Sequence, residues 1–272
     1  MGISVNTNVS SLIAQQYLTN NQSQLAKTFT RLSSGLKIND ASDDPAGLAV
    51  ANGMKQSVSG LRQGSQNGND GVSLTETAGG AMNAVVNLLQ RMRELASQGS
   101  SGTLSSTDLS DLNAEYQSLL NEVSRVQATS TFNGIALLSG GSISIQIGEN
   151  NTSNDRLTIS LTATDTTTLG IASSDLTSNT NAQSALSSLS TAISSVTTGL
   201  ATLGASESNI KEAIKSNDAR ATNLESATSR IMDTDYAEES ANLGKYMIMN
   251  QANIAMLSQA NSAPQMVMQL LS

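Results

Sequence analysis

The stretch that decides the fold runs from Leu186 to Ile231 and reads LSSLSTAISSVTTGLATLGASESNIKEAIKSNDARATNLESATSRI. Every Leu, Ile and Val in it falls at positions spaced alternately three and four residues apart. That spacing is typical of the buried stripe of a coiled-coil helix, so we predict one long helix here. The apolar positions are Leu186, Leu189, Ile193, Val196, Leu200, Leu203, Ile210, Ile214, Ala221, Leu224 and Ile231, with Glu207, Asn217 and Thr228 as polar interruptions.

Three more stripes with this period occur in the first half of the chain. Between the last two lies a Gly- and Ser-rich stretch, Ser97 to Asp108, which predicts the turn of a helical hairpin with Asp108 or Thr107 as the next N-cap. The stripes are Ala51, Met54, Val58, Leu61; Ala78, Met82, Val85, Leu89, Met92, Ala96; and Leu109, Leu112, Tyr116, Leu119, Val123, Val126.

The period changes to two between residues 140 and 161. Two runs of alternating apolar residues flank the polar segment GENNTSND (residues 148–155), which predicts a β-hairpin at about residues 142–161. The alternating residues are Ile143, Ile145, Ile147 and Leu157, Ile159, Leu161. Residues 162–181, rich in Ser, Thr, Asn and Asp, predict a loop.

Both ends of the chain again predict amphipathic helices. The sequence therefore indicates a mainly α fold, with long antiparallel coiled-coil helices from both chain ends and one small β-hairpin. The residues expected to pack these terminal helices are Leu12, Leu18, Leu25, Phe29, Leu32, Leu243, Met247, Ile254, Leu257, Leu270 and Leu271. Because isolated helices with one narrow apolar stripe are marginal in water, we expect the ends to become ordered only when several chains meet. An intramolecular bundle of all the helices is the alternative.

The stretch GLKINDASDDPAGLAV (residues 35–50) predicts a structural joint between two helices. Gly35 can end the first helix in a left-handed cap. Asp44 can cap the next helix, with Pro45 at its first position, where a missing N–H is harmless. Asp43 and Asp44 also place negative charge at the positive end of that helix.

The same aspartates raise the alternative of a metal or acid/base site. If Asp40 were the first ligand of an EF-hand loop, the sixth position would be Pro45 where glycine is required. The twelfth would be Ala51, where a bidentate acid is required. A carboxylate pair would need a pocket that nothing nearby indicates, so we expect no metal, no cofactor and no catalytic residues.

Composition narrows the function classes further. The 272 residues include no His and no Cys, which excludes Ser-His-Asp and Cys-His nucleophilic sites and removes the usual zinc ligands. A net charge of −8 argues against a nucleic-acid partner. No apolar run is long enough to cross a membrane. The first thirty residues contain a single cation, Lys27, and no apolar core of a secretory signal, so we expect no cleaved signal peptide.

Several blocks resemble the bacterial flagellins. They are SVNTNVSSLIAQQYL near the start, LSSGLKINDASDDPAGLAVANGMKQ (32–56), GVSLTETAGGAMNAVVNLLQRMRELASQ (71–98), TFNGIALLSG (131–140) and NLESATSRIMDTDYAEESANLGKYMIMNQANIAMLSQAN (223–261). The resemblance is collinear over almost the whole chain. It implies a structural subunit that polymerises with copies of itself into the hollow flagellar filament used for swimming.

The resemblance also implies an organisation. Residues 1–34 and 240–272 would pair as channel-lining helices, 35–45 and 232–239 would be connecting joints, and 46–231 would form a helical shell carrying the hairpin. The short polar segment after the hairpin leaves no room for outer variable domains. Further implied partners are the flagellar type III export machinery, which passes the chain unfolded, an export chaperone and the filament cap. The implied location is the extracellular flagellum.

Arg91, Leu95 and Glu115 match a patch that animal flagellin receptors recognise in some relatives. A solvated or subunit-packing helix face is the alternative for these residues. Three other functions compete with filament formation: a hook–filament junction protein, a non-flagellar secreted coiled-coil protein, and an enzyme using the aspartates near residue 43.

Overall fold

A computed structural model describes residues 7–271, with side chains through residue 263. It confirms the mainly α fold. The helices are α1 (Val9–Ser34), α2 (Pro45–Gly99), α3 (Ser106–Thr129), α4 (Asn179–Met232) and α5 (Tyr236–Leu271). Four short strands lie between α3 and α4, namely β1 (Thr131–Phe132), β2 (Ile135–Ala136), β3 (Gly141–Gln146) and β4 (Arg156–Leu161), with a 3-10 turn at Ser153–Asp155.

The chain forms two compact units. One unit contains both ends of the chain, up to Gln56 and from Asn223, and the other contains the middle, Ser57–Thr222. The divisions therefore fall within α2 and α4. The assignment of residues 1–34 and 240–272 to a channel lining concerns the assembled state and stays a prediction.

Three of the predicted stripes, on α2 from Ala78, on α3 and on the first part of α4, supply the core of the middle unit. All six stripe residues from Ala78 to Ala96 are buried, and Tyr116, Val123, Leu189 and Val196 are fully enclosed with them. A helix stripe becomes a core when its partners present stripes of the same period, because side chains three and four residues apart share one face. The long stretch around residues 186–231 is helical as predicted.

The predicted β-hairpin is β3 paired antiparallel with β4, with Ile143 opposite Ile159. The chain following β3 lies directly on α2 at a glycine. A Cβ added at Gly64 would overlap the Ile147 carbonyl oxygen and lie 2.7 Å from its carbon. Two amide side chains hold this segment, because Asn67 Nδ2 donates to Gln146 O (2.9 Å) and Asn217 Nδ2 donates to Ile147 O (2.9 Å). Asn217 thus interrupts the apolar stripe in order to bind the hairpin.

One local prediction was wrong, and one element was missed. The N-cap of α3 is Ser105, which forms a capping box with Asp108, so Asp108 is the third helical residue and not the cap. A second hairpin, β1 with β2, had not been predicted. Its turn consists of Asn133 and Gly134, both with positive φ (47° and 79°), which matches the preference of two-residue hairpin turns for Asn-Gly.

Candidate assembly surface and helix joint

The first break in the helices is closed at Gly35. Gly35 adopts the left-handed conformation (φ 72°), and its N–H donates to Arg31 O (2.8 Å), as the sequence predicts for a C-cap. The hydroxyl of Tyr236 covers this position, lying 3.2 Å from where a Cβ would stand, and donates to Leu32 O (3.3 Å). Glycine is therefore favoured here for two reasons: the residue has a positive φ, and the Tyr236 hydroxyl leaves little room for a Cβ.

The two breaks in the helices pair with each other. Leu36 and Asp233 form an antiparallel bridge. Lys37 N donates to Met232 O (2.5 Å) and Thr234 N donates to Gly35 O (3.0 Å). The second break is shorter than the expected 232–239, since only residues 233–235 separate α4 from α5.

Asp235 explains why α5 starts early. Its Oδ1 accepts hydrogen bonds from Ala237 N (2.8 Å) and Glu238 N (3.2 Å), which satisfies the first N–H groups of the helix. On the other side of the joint, Asp44 Oδ1 accepts from Gly47 N (3.0 Å), and Pro45 is the first residue of α2. The predicted positions of Asp44 and Pro45 are thus observed.

Asp43 does not cap α2. Its carboxylate accepts hydrogen bonds from Asn39 N (3.3 Å) and Asp40 N (3.4 Å) and lies 3.5 Å from Lys27 Nζ. The hydrogen bond from Asn39 is the main reason that the pKa of Asp43 lies below its usual value, with Lys27 and Arg31 adding to the effect. Asp43 therefore joins the loop to α1.

The α1–α5 seam is a stripe in which leucines alternate with small and polar side chains at three- and four-residue spacing. It consists of Ser11, Ala14, Leu18, Asn21, Leu25, Thr28 and Leu32 on α1, and Glu239, Asn242, Leu243, Tyr246, Asn250, Asn253, Leu257 and Ala260 on α5. Five of the predicted packing residues lie on it: Leu18, Leu25, Leu32, Leu243 and Leu257.

Side-chain amides fix the register of the seam. Asn8 Nδ2 donates to Ala260 O (2.8 Å), and Asn21 Nδ2 donates to Tyr246 O (3.0 Å). Near the joint, the buried Glu239 carboxylate lies 4.0 Å from the Arg31 guanidinium. The sequence reasoning missed Asn8 and Asn21. Asn21, however, continues the spacing of Leu18 and Leu25, and this was the available signal.

Large apolar side chains remain exposed on both terminal helices. Four predicted packing residues belong to this group, so they do not pack between α1 and α5. Leu12, Phe29, Met247 and Ile254 are 55%, 52%, 47% and 53% exposed. The others are Val9, Ile13, Tyr17, Tyr236, Ile248, Met249 and Met256. Leu270 and Leu271 lie outside the residues whose side chains the structure describes.

The exposed residues of α5 surround the helix. Met247 and Ile254 lie two turns apart on one side, and Met249 and Met256 lie two turns apart on another. Ile248, the most exposed of them at 69%, lies between the two sides. Large apolar side chains that are exposed on several sides of a helix, here with Gln251 and Gln259 among them, indicate an interaction surface.

The structure brings two residues of the candidate receptor patch, Arg91 and Glu115, into contact, but the third, Leu95, is not on the same surface. Arg91 donates to Glu115 Oε1 from Nη2 (2.8 Å) and to Glu94 Oε2 from Nη1 (3.0 Å). The hydrogen bond to Glu115 is the main reason that the pKa of the Arg91 guanidinium is raised. Leu95 is buried in the core of the middle unit, with 2% exposure, so its side chain does not contribute to this surface.

Within the described chain, no group of three or more acidic side chains is arranged to hold a metal ion. Nor does any described helix combine the length and the apolarity that crossing a bilayer requires. The open cleft beside α4 is lined by Ser and Thr hydroxyls, glycine and no charged residue. The features that stand out are thus the paired joint, the polar seam and the exposed apolar helices.

Long helices with exposed apolar surfaces are typical of subunits that pack against other chains. The sequence model for the bacterial flagellin N-terminal helical region matches residues 5–142, and that for the C-terminal helical region matches residues 186–271. The flagellin of Halalkalibacterium halodurans is 40% identical over 269 residues, covering 98% of this chain and 99% of that protein. The chain belongs to the bacterial flagellin family, whose members are structural subunits of the extracellular flagellar filament.

Solved structures agree with this assignment. The crystal structure of Bacillus cereus flagellin aligns with a TM-score of 0.51 and 28% identity, covering 60% of this chain and 94% of that one. A putative flagellar hook-associated protein from Vibrio parahaemolyticus aligns with a TM-score of 0.59 at 13% identity, covering 70% of this chain and 100% of that one. At that identity the second likeness shows the fold alone.

Proposed function

We propose that this chain polymerises with copies of itself into the hollow flagellar filament that drives swimming. The observation that carries the proposal is the exposed apolar surface of α1 and α5. The seam between the two helices combines leucines with asparagines and other small or polar side chains, whereas Ile248, Met256 and their neighbours face outwards. Side chains of that size return free energy only when a neighbour covers them, at about 1.5–3 kcal/mol each when fully buried.

We infer that this surface is covered by further copies of the chain. The exposed residues lie on several sides of α5, so a single neighbour would not cover them all. A contact that joins different surfaces of identical subunits propagates into a ring or an open helical filament. A filament in which each terminal helix pair is surrounded by other pairs meets the requirement.

The joint supports the proposed organisation of the subunit. Residues 1–34 and 240–272 would line the channel, residues 35–45 and 232–239 would connect them to the rest, and residues 46–231 would form the shell without outer variable domains. The bridge between Leu36 and Asp233 ties the two connections together. Because the two connections are hydrogen-bonded to each other, we expect them to be stiffer than two separate loops would be.

Membership in the family supports proposals for further partners. We propose export in an unfolded state by the flagellar type III machinery, with an export chaperone and a filament cap. We propose no enzymatic activity and no cofactor, nucleic-acid or membrane partner. Recognition by a host flagellin receptor through Arg91 and Glu115 would have to proceed without the side chain of Leu95, which is buried.

The hook–filament junction protein is the weaker candidate. The family match to flagellins covers both helical regions, and the flagellin of Halalkalibacterium halodurans aligns from end to end. The hook-associated relative shares the fold at 13% identity.

Ile248 offers a direct test because it is 69% exposed and lies away from the seam. Purified wild-type chain, Ile248→Asp and the matched control Ile248→Leu are mixed with filament seeds, sedimented and viewed by negative-stain microscopy. We expect wild type and Ile248→Leu to form long uniform tubes. Ile248→Asp should raise the critical concentration roughly tenfold or more, because burying an unpaired charge is strongly unfavourable.

Equal polymerisation of Ile248→Asp and wild type would contradict the proposed role of this surface. Failure of the wild-type chain to form filaments with seeds would contradict the proposed function itself. Circular dichroism of the unpolymerised variants should match that of wild type, since an exposed substitution leaves the core of the middle unit unchanged.

A further inference from the structure

Among the seven methionines whose side chains the structure describes, three are buried, three are exposed, and Met54 is intermediate. The sequence contains ten methionines and no cysteine. Thioethers are therefore its only sulfur groups, and they are readily oxidised. Met82, Met92 and Met232 are 2%, 0% and 3% exposed. The exposed group is Met247, Met249 and Met256, at 47%, 42% and 64%.

The exposed group lies within three turns of α5, on the surface to which polymerisation was assigned above. Met249 and Met256 share one side of the helix, and Met247 shares the other with Ile254. No charged side chain occurs in α5 from residue 246 to residue 263. The three thioethers are therefore accessible to small oxidants in a free subunit while belonging to an apolar contact surface.

We propose that Met247, Met249 and Met256 form an oxidant-sensitive modification site that controls whether a free subunit can enter the polymer. The inference rests on the proposed function. The co-reactant is a two-electron oxidant of the peroxide class. The sulfur lone pair attacks one peroxide oxygen, the O–O bond breaks and an S–O bond forms. Sulfur loses two electrons, and the second oxygen leaves as hydroxide, which takes up the proton of the transferred oxygen and becomes water.

The sulfoxide changes the surface in a specific way. It replaces a flexible apolar group with a polar one that needs a hydrogen-bond partner. The apolar side chains beside the thioethers on α5 are those of Ile248 and Ile254, and neither carries a hydrogen-bond donor for the sulfoxide oxygen. Burying an unpaired polar group in such an interface is unfavourable, so an oxidised subunit should be rejected by the growing end. Sulfoxide reductases reverse the modification, which makes the block reversible.

The experiment uses the full-length unpolymerised chain and hydrogen peroxide. Peptide mass spectrometry should find sulfoxide at Met247, Met249 and Met256 first, with Met82 and Met92 unmodified. Seeded sedimentation should then show a critical concentration raised roughly tenfold or more. Treatment with the two methionine sulfoxide reductases should restore the untreated value. In preformed filaments, the same three methionines should oxidise several-fold more slowly.

The matched variant is Met247→Leu/Met249→Leu/Met256→Leu, which keeps side-chain volume and apolarity. It should polymerise equally well before and after peroxide. If the variant loses polymerisation after peroxide as wild type does, the block arises elsewhere and the inference is wrong. The reductase rescue of wild type tests the inference independently, in case the variant fails to assemble, and an oxidised wild type that stays blocked after reduction would overturn it.

Two further outcomes separate this inference from the proposed function. Normal polymerisation of wild type both before and after complete oxidation of the three methionines overturns the inference alone. Failure of untreated wild type to polymerise overturns the proposed function and the inference together.

Discussion

Gly64 is the position where a single methyl group should cost most in the middle unit. In Gly64→Ala the added Cβ would overlap the Ile147 carbonyl oxygen and lie 3.3 Å from Asn217 Nδ2. The obstacle is backbone, so the segment after β3 must move by roughly 1 Å or more to restore ordinary contact. That movement strains the hydrogen bonds that Asn67 and Asn217 donate to Gln146 O and Ile147 O.

The magnitude follows from three contributions. Overpacking costs about 1–3 kcal/mol, and each weakened hydrogen bond costs about 0.5–1.5 kcal/mol. Replacing a helical glycine by alanine returns about 1 kcal/mol through helix propensity. With both hydrogen bonds weakened, we therefore expect Gly64→Ala to lower the free energy of unfolding by about 1–5 kcal/mol.

Gly80→Ala is the matched control on the same helix. Gly80 is exposed, and nothing lies within 4 Å of where its Cβ would stand, so the substitution should raise the free energy of unfolding by up to about 1 kcal/mol. Urea unfolding of the unpolymerised chain, followed by circular dichroism, measures both. If Gly64→Ala is as stable as wild type while Gly80→Ala is stabilised, the hairpin does not rest on Gly64 and the reasoning is refuted.

Three predictions concern the joint and are measured as the temperature at which preformed filaments disassemble. Gly35→Ala should lower the free energy of unfolding of each subunit by about 1–2 kcal/mol, because only glycine adopts φ 72° without strain. Gly244→Ala, which lies in open space on α5, should not lower it. Equal effects of the two substitutions would contradict this account. Asp44→Ala should cost about 1 kcal/mol through the lost helix cap and lower the disassembly temperature, whereas an unchanged temperature would argue against a capping role. The pKa of Asp43 is lowered mainly by the Asn39 N–H, so its contribution is complete above its unfolded pKa of about 3.9 and is lost as the pH falls through the lower folded pKa. The difference between wild type and Asp43→Asn should shrink below about pH 4, and a difference independent of pH from about 3 to 6 would contradict the assignment.

The apolar pattern predicted the helices well because the period of a stripe reports which face is buried. The alternating spacing from Leu186 to Ile231 corresponds to one continuous helix, and the stripe from Ala78 to Ala96 is buried throughout. The joint was also predictable from local preferences. Glycine favours the position just after a helix, as at Gly35, whereas Asp44 and Pro45 are residue types that favour a helix start.

The same pattern misjudged part of the seam. Leu12 and Phe29 were expected in the contact between the terminal helices, but Ser11 and Thr28 are the buried residues there. Apolarity marks every surface that a neighbour covers. It does not distinguish the partner helix of the same chain from that of another copy.

Close contacts between distant backbone segments could not be predicted from the sequence, for another reason. Nothing in the local sequence around Gly64 shows that Ile147, which is distant along the chain, presents a carbonyl to it. The capping of α3 by Ser105 depended on the hydroxyl and carboxylate reaching each other's N–H groups, and Thr107 and Asp108 were equally plausible from residue type.

The measurement that tests the account most directly is amide hydrogen exchange along residues 9–34 and 236–263, compared between unpolymerised chain and filament. If other copies complete the surface of α1 and α5, these amides should exchange rapidly in the free chain, while the core of the middle unit stays protected. In the filament both should be strongly protected. Equal protection of the terminal helices in free chain and filament would show that the seam suffices by itself and would contradict the account.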